Sequence, residues 1–272
     1  MPVDSAPAWK TARPGARASA TVMVVLKWAF TGVTLWILWQ FVLAPNVSKV
    51  FLPTPHAVWT RFTKIVGDGT AWHVVKDTVT EALAGFVVGF VAGIVVALAI
   101  GLSPAIVGKL VEPVVTAMYA TPKFILVPIL FLWLGTGFLP RILLIAIAVF
   151  PVIVIYTITG IRTVDPDLVT MMTLAGASRV QIGRKVLLPH TMGYVRTAVT
   201  FASPHTLEVA IGAEILFGSL TGIGGMLNTT SNLFDAAGVF TALGIGTIIC
   251  SIAIALAGAA NPGGNRRKGS VL

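Results

Sequence analysis

Charge is the scarcest property of this sequence. Only 11% of its 272 residues are Asp, Glu, Lys or Arg, less than half the roughly 25% of an ordinary water-soluble domain. So little charge would leave a water-facing surface largely apolar, and the mean hydropathy of +0.91 makes lipid the solvent. Cysteine occurs once, as Cys250 in an apolar run, which excludes an intramolecular disulfide and a cysteine-rich metal site. Catalytic patterns are missing as well. No G-x-S-x-G occurs, and Gly101–Lys109 fails as a phosphate loop because Ser103 stands at the first glycine position and Leu110 follows Lys109. His56, His73, His190 and His205 are scattered. His205 and Glu208 share a helical face, but two potential ligands do not make a metal site. No enzyme and no metal centre is expected.

Long charge-poor runs are what the chain has instead. They are Trp28–Ser48, Ala82–Gly108, Phe124–Pro140 (extended backwards through Val114–Tyr119), Ile142–Ile161, Val195–Phe217 and Ala236–Ala260. Such lengths satisfy their backbone hydrogen bonds in lipid only as helices, so the fold class is all-α, a polytopic bundle of about six transmembrane helices. Six spans of about 20 residues need about 120 residues, which fits one bundle. The first run has a basic leader but no small-x-small cleavage site, so it is read as an uncleaved anchor. The divisions are a tail at 1–20, a first transmembrane helix at 21–44, a connector at 45–76, a core at 77–260 and a tail at 261–272.

The net charge of +9 is a topology signal. With both termini cytoplasmic, the inside collects Lys10, Arg13, Arg17, Lys109, Arg162, Arg179, Arg184, Lys185, Arg196, Arg266, Arg267 and Lys268. The outside collects only Lys49, Arg61, Lys64, Lys76 and Arg141, and this excess fixes the orientation. No basic face interleaved with aromatics exists, so nucleic acid is not a partner.

Two hydrophilic stretches join the spans. In the external connector, Val58, Trp59, Phe62, Ile65 and Val66 fit a short amphipathic helix at the interface. In the cytoplasmic stretch 162–194, Asp165-Pro166-Asp167 opens a helix with an acidic cap and an early proline. A second short helix covers Val180–Leu187 and stops at Leu188-Pro189. The apolar, small-residue turn between them needs another protein to cover it.

This stretch carries a resemblance. Gly176, Val186, Leu188 and Pro189 have the spacing of the signature of inner-membrane permeases of ABC importers, E-A-A-x3-G-x9-I-x-L-P, with Thr170, Met171 and Met172 in place of Glu-Ala-Ala. Phe51–Pro55, Glu112-Pro113 through Pro122, Pro128 to Gly137, Thr159–Asp165 and Leu174–Ser178 look like the nitrate/sulfonate/taurine-type subfamily. The resemblance implies a type I importer permease of the bacterial inner membrane, acting with ABC ATPase subunits, a second permease subunit as a homodimer, and an extracytoplasmic solute-binding protein. No cofactor is implied for this chain, since ATP and Mg would be bound by the ATPase. The cargo implied is a small anion such as nitrate, a sulfonate or an organic acid. The coupling residues implied are Thr170, Met171, Met172, Leu174, Ala175, Gly176, Ala177, Ser178, Val186, Leu188 and Pro189.

Other candidates lie in the spans. Gly85, Gly89 and Gly93 repeat every four residues, a stripe for close helix packing, either static or at a moving or dimer contact. Glu208 and Glu214 are carboxylates inside a span, a costly placement. Glu214 is open to a gating or a structural role, and Glu81 is read as interfacial. Gly222, Gly224, Gly225 and Asn228 lie in a glycine-rich segment read as an outer gate, as a small-anion site made by its N–H groups, or as an ordinary turn. Pro122, Pro128 and Pro151 are expected to kink helices three and four. The alternative function is an ATPase-independent secondary transporter or channel, with Glu208 and Glu214 as its only ion-coupling candidates.

Overall fold

The structure, a computed structural model, describes residues 14–259. The tail at 261–272, and Lys10 and Arg13 among the orienting basic residues, lie outside the described residues. Those residues are helical with short breaks and no strand: α1 Pro14–Ile37, α2 Ala44–Asn46, α3 Pro55–Gly67, α4 Thr70–Gly101, α5 Ala105–Ala120, α6 Val127–Leu134, α7 Phe138–Ile161, α8 Pro166–Leu174, α9 Arg179–Ile182, α10 Leu188–Leu216, α11 Gly222–Asn232 and α12 Ala236–Ala259. A π-helical segment, Leu38–Leu43, joins α1 to α2, and another, Gly183–Leu187, joins α9 to α10.

Four helical stretches are long and apolar enough to cross a membrane: Leu26–Asn46, α4, α7 and α12. A fifth span would be broken, because Ile106–Ala120 and Lys123–Leu134 meet at 92°. The third span, expected over Phe124–Pro140 with a backward extension through Val114–Tyr119 and a kink at Pro122, is a sharply bent pair that ends at Leu134. Thr121-Pro122 makes the corner, with Thr121 extended, because a residue before proline is pushed out of the helical region. Pro151 stays inside the single helix α7. The span expected over Val195–Phe217, fifth in chain order, is α10, which has the length (29 residues) but not the apolarity. Arg196, His205, Glu208 and Glu214 interrupt it.

Helix α7 is the centre. In its most apolar stretch 61% is buried, against 6% for Leu26–Asn46. Helix α4 lies along α7 through the glycine stripe. A Cβ at Gly85 would come 2.5 Å from the Ile145 side chain, one at Gly89 2.7 Å from the Ala146 carbonyl oxygen, and one at Gly93 2.8 Å from Ile153. Small residues every four positions thus let two backbones of one chain touch, which is how helices associate where lipid offers no hydrophobic drive. Helix α10 packs against α7 and also touches α4, with Ala198, Ala202, Val209, Ala210 and Ala213 in the shared core.

Boundaries shift where tertiary contacts extend a helix. Helix α4 begins at Thr70, inside the expected connector 45–76, and ends at Gly101 before Ser103-Pro104, short of the expected Gly108. The amphipathic helix is α3, whose N-cap Thr54 accepts the Ala57 amide proton at 3.2 Å. At the start of α4, hydrogen bonds from Thr70 hold the exposed Asp68 carboxyl below its usual range.

Candidate functional site

One end of the bundle carries the signature segment. Asp165 caps α8, its side chain accepting the Asp167 amide proton at 2.9 Å with Pro166 in the first turn. The helix ends at Leu174, with Ala175 as its C-cap. Gly176 then takes φ +79°, the Gly176 amide donates to Thr173 O and the Ala177 amide to Met172 O, both at 3.0 Å. This is the paired Schellman closure, which needs a left-handed residue and so favours glycine. Ser178 opens α9 with a capping box: its Oγ accepts the Gln181 amide proton at 3.3 Å, and its amide donates to Gln181 Oε1 at 2.8 Å. The turn is therefore rigid without any partner.

Its side chains divide between two directions. Val169, Met172, Ala177 and Val186 pack onto a cluster of Val164, Ile182 and Leu187 together with Leu98, Leu102 and Ile161 from the ends of α4 and α7. Met171, Leu174 and Val180 point out, with Leu174 84% exposed. Thr170 donates to the Pro166 carbonyl within its own helix. The expected stop at Leu188-Pro189 does not occur. Pro189 sits in the first turn of α10 and the chain stays helical through the π segment before it. A proline lacks an amide and crowds the carbonyl four residues back, and a π turn accommodates both.

The other end holds a buried polar network. Arg141 Nη1 lies 2.9 Å from Glu81 Oε1, both side chains under 10% exposed, and donates to Ser219 Oγ at 2.6 Å. Glu81 is thus buried and paired across α4 and α7, not interfacial. Arg141, counted above as an external loop charge, is inside the bundle. Glu214 accepts from Thr78 Oγ1 at 2.7 Å and from the Gly224 amide at 2.6 Å, while Thr78 Oγ1 accepts from the Ile223 amide at 2.8 Å. Carboxylate and hydroxyl together satisfy the first amides of α11 and place negative charge at its positive end.

The glycine-rich segment is accordingly the start of a helix and not an ordinary turn. Gly222, Gly224 and Gly225 are the buried first turn of α11. Gly222 has φ +79°, and a Cβ there would collide with the Glu214 carboxylate. Asn228 Nδ2 donates to the Ile215 carbonyl at 3.0 Å, tying α11 to the end of α10. Glu208 stands apart, paired only with His205 on its own helix among the described residues. The sequence singles out Glu214, sets Glu81 aside as interfacial and Arg141 as an external charge, and passes over Thr78 and Ser219. A glutamate and an arginine each directly preceding an apolar run, Glu81 before Ala82 and Arg141 before Ile142, were the available signal. No cluster of three metal-binding side chains occurs among the described residues.

Comparison with known proteins adds to this geometry. A family profile described as "Binding-protein-dependent transport system inner membrane component" matches residues 78–262. The chain is 34% identical over 242 residues to the riboflavin transport system permease protein RibX of Chloroflexus aurantiacus, covering 88% of this chain and 85% of that protein. It is 24% identical over 246 residues to the taurine transport system permease protein TauC of Escherichia coli, covering 89% and 86%. In fold it resembles a chain of a bacterial ABC transporter involved in the import of alginate, with TM-score 0.61, 16% identity and coverage of 92% and 98%. It also resembles a chain of the inward-facing MetNI methionine ABC transporter, with TM-score 0.57, 19% identity and coverage of 67% and 90%.

Proposed function

Given that the chain belongs to the family of binding-protein-dependent transport system inner membrane components, the permease subunits of ABC importers, we propose that it lines a solute pathway worked by a separate ATPase docked on segment 162–194. Membership makes it a multi-pass inner-membrane transport subunit and not an enzyme. The carrying observation for the docking is the turn at Gly176, closed at both sides by its own caps yet presenting Met171, Leu174 and Val180 to solvent. An apolar patch this exposed on a rigid turn fits a groove in another protein.

In this reading the bent pair α5–α6 and the polar helix α10 complete six spans, both termini are cytoplasmic, and two copies enclose the pathway. An extracytoplasmic binding protein delivers the solute, and ATP and Mg belong to the ATPase. Of the two coupling candidates of the secondary-transporter alternative, Glu214 is held by Thr78 and the Gly224 amide. Glu208 is paired only with His205 of its own helix among the described residues, so co-purification of an ATPase decides between the readings. For the cargo, the likeness to a taurine permease supports a small anion. The greater identity to a riboflavin permease over a similar share of the chain supports a second reading, a flat heterocycle.

Affinity purification of the tagged chain from membranes tests the assignment. An ATPase subunit is expected to accompany it, and Leu174→Asp is expected to release that subunit while the chain stays inserted. Recovery of a transport-competent homo-oligomer with no ATPase would refute it.

A further inference from the structure

Helix α10 has 29 residues, about 44 Å at 1.5 Å per residue, enough to cross the roughly 30 Å hydrocarbon layer. Glu208 lies eight residues before its end, about 12 Å in. Its neighbours Leu207, Val209 and Ala210 are buried in the apolar core. Its own side chain is 71% exposed and, among the described residues, its one hydrogen-bond partner is His205 Nδ1, at 3.2 Å, with His205 42% exposed. The Cys250 thiol of α12 lies near enough to feel its charge. Unlike Glu81 and Glu214, this carboxylate is not absorbed by the bundle, and a carboxylate facing lipid at that depth is unfavourable. In the assembled transporter such a group requires water, a polar solute or a second copy of the chain against it.

The same face carries aromatic surface. Phe201 precedes His205 by four residues and Glu208 by seven, so the three align along one side of the helix. Phe201 is 60% exposed and stacks on Tyr156 of α7 with ring centroids 5.8 Å apart and planes at 22°. The strip thus offers stacking surface beside a hydrogen-bond acceptor and a negative charge.

We propose that Tyr156, Phe201, His205 and Glu208 form a wall of the solute pathway and select a flat, hydrogen-bond-donating or cationic solute against anions. This rests on the permease reading and deepens it. The aromatic pair receives a planar ring on its face, Glu208 accepts N–H or O–H groups at the ring edge, and the carboxylate repels sulfonates and carboxylates. The anionic cargo is thereby disfavoured.

The test needs no known solute. In the assembled complex carrying Cys250→Ser, single thiols are introduced by Glu208→Cys or by Pro204→Cys, one turn earlier on the same face. Right-side-out and inverted membrane vesicles are exposed to two membrane-impermeant methanethiosulfonates, a trimethylammonium cation and a sulfonate anion. Both thiols are expected to react from at least one side. At Pro204→Cys the cation is expected to lead the anion by about tenfold after correction for free-thiol rates, a difference of about 1.4 kcal/mol. Adding Glu208→Gln is expected to abolish that preference. Silence of both thiols in both vesicle orientations means that lipid or a second copy covers the strip and overturns the proposal. A preference unchanged by Glu208→Gln overturns the selectivity. Either failure leaves the ATPase bound on purification, whereas failure of the permease reading shows as its absence.

Discussion

Replacing Arg141 with methionine should be among the most damaging single changes in the chain. The guanidinium lies 2.9 Å from Glu81 Oε1 and is almost wholly buried. At an effective dielectric of about 20 that separation corresponds to about 6 kcal/mol of Coulomb attraction, before desolvation is subtracted. Arg141→Met leaves Glu81 buried with Oε1 newly bare and Oε2 already without a partner. Ser219 keeps the Thr221 carbonyl and amide, so the loss is concentrated on the carboxylate. Removing one member of a buried pair costs about 3–5 kcal/mol, whereas replacing both by apolar groups is often neutral. Arg141→Met is therefore expected to destabilise by about 3–5 kcal/mol, and Glu81→Leu with Arg141→Met by less than about 1 kcal/mol. Unfolding by SDS in mixed micelles, followed by tryptophan fluorescence, measures both. A single-mutant loss below about 1 kcal/mol, or a double mutant as unstable as the single, would refute the reasoning.

Gly89→Ala places a Cβ 2.7 Å from a backbone carbonyl oxygen of α7, and the same unfolding assay should show a loss of about 1–3 kcal/mol from overpacking. Gly32→Ala, with nothing within 4 Å, should be neutral or gain up to about 1 kcal/mol. Glu214→Ala removes the acceptor of the Gly224 amide; hydrogen exchange at Gly224 and its neighbours should accelerate, with a loss of about 0.5–2 kcal/mol. Gly176→Ala meets no atom but is forced to φ +79°, so about 1–2 kcal/mol of local strain is expected with ATPase binding retained. Leu174→Asp should leave stability unchanged and weaken ATPase binding at least about tenfold in a pull-down titration.

Local chemistry was legible in the sequence, and distant pairing was not. The Asp165-Pro166 start of α8 and the four-residue glycine spacing of α4 depend on neighbours in sequence, and both appear where the spacing puts them. Glu81 was misread because its partner Arg141 lies 60 positions away, and no periodicity links them. The segment at Gly222 reads as a loop because glycine is a poor helix former. It is helical because Glu214 and Thr78, on two other helices, hold its first amides. Helix α10 is not apolar enough to stand among the membrane-crossing helices, yet it is long and packs against α4, α7, α11 and α12. Burial within protein relaxes the composition that lipid exposure would demand.

The π segment before Pro189 gives a last prediction about how the two ends are joined. Ile182 and Leu187 are both buried in the cluster that roots the Gly176 turn, although they are five residues apart. At 3.6 residues per turn they would point about 140° apart. The wider π turn brings them back to one face, because it accommodates one extra residue per turn. From Arg179 to Leu216 the chain is then one helical run, with the exposed turn at its start and the Glu214 cap of α11 at its end. Deleting Arg184, an exposed residue inside the π segment, should regularise the helix and leave Ile182 and Leu187 four apart, still on one face. Deleting Arg196, in the regular part of α10, should instead rotate Ala202, Val209 and Glu214 by about 100° relative to the turn. The first deletion is expected to fold and bind the ATPase; the second is expected to lose the cap and the core, read by SDS unfolding and by co-purification. Equal damage from the two deletions would show that the π segment is not the extra residue that sets the register of this rod.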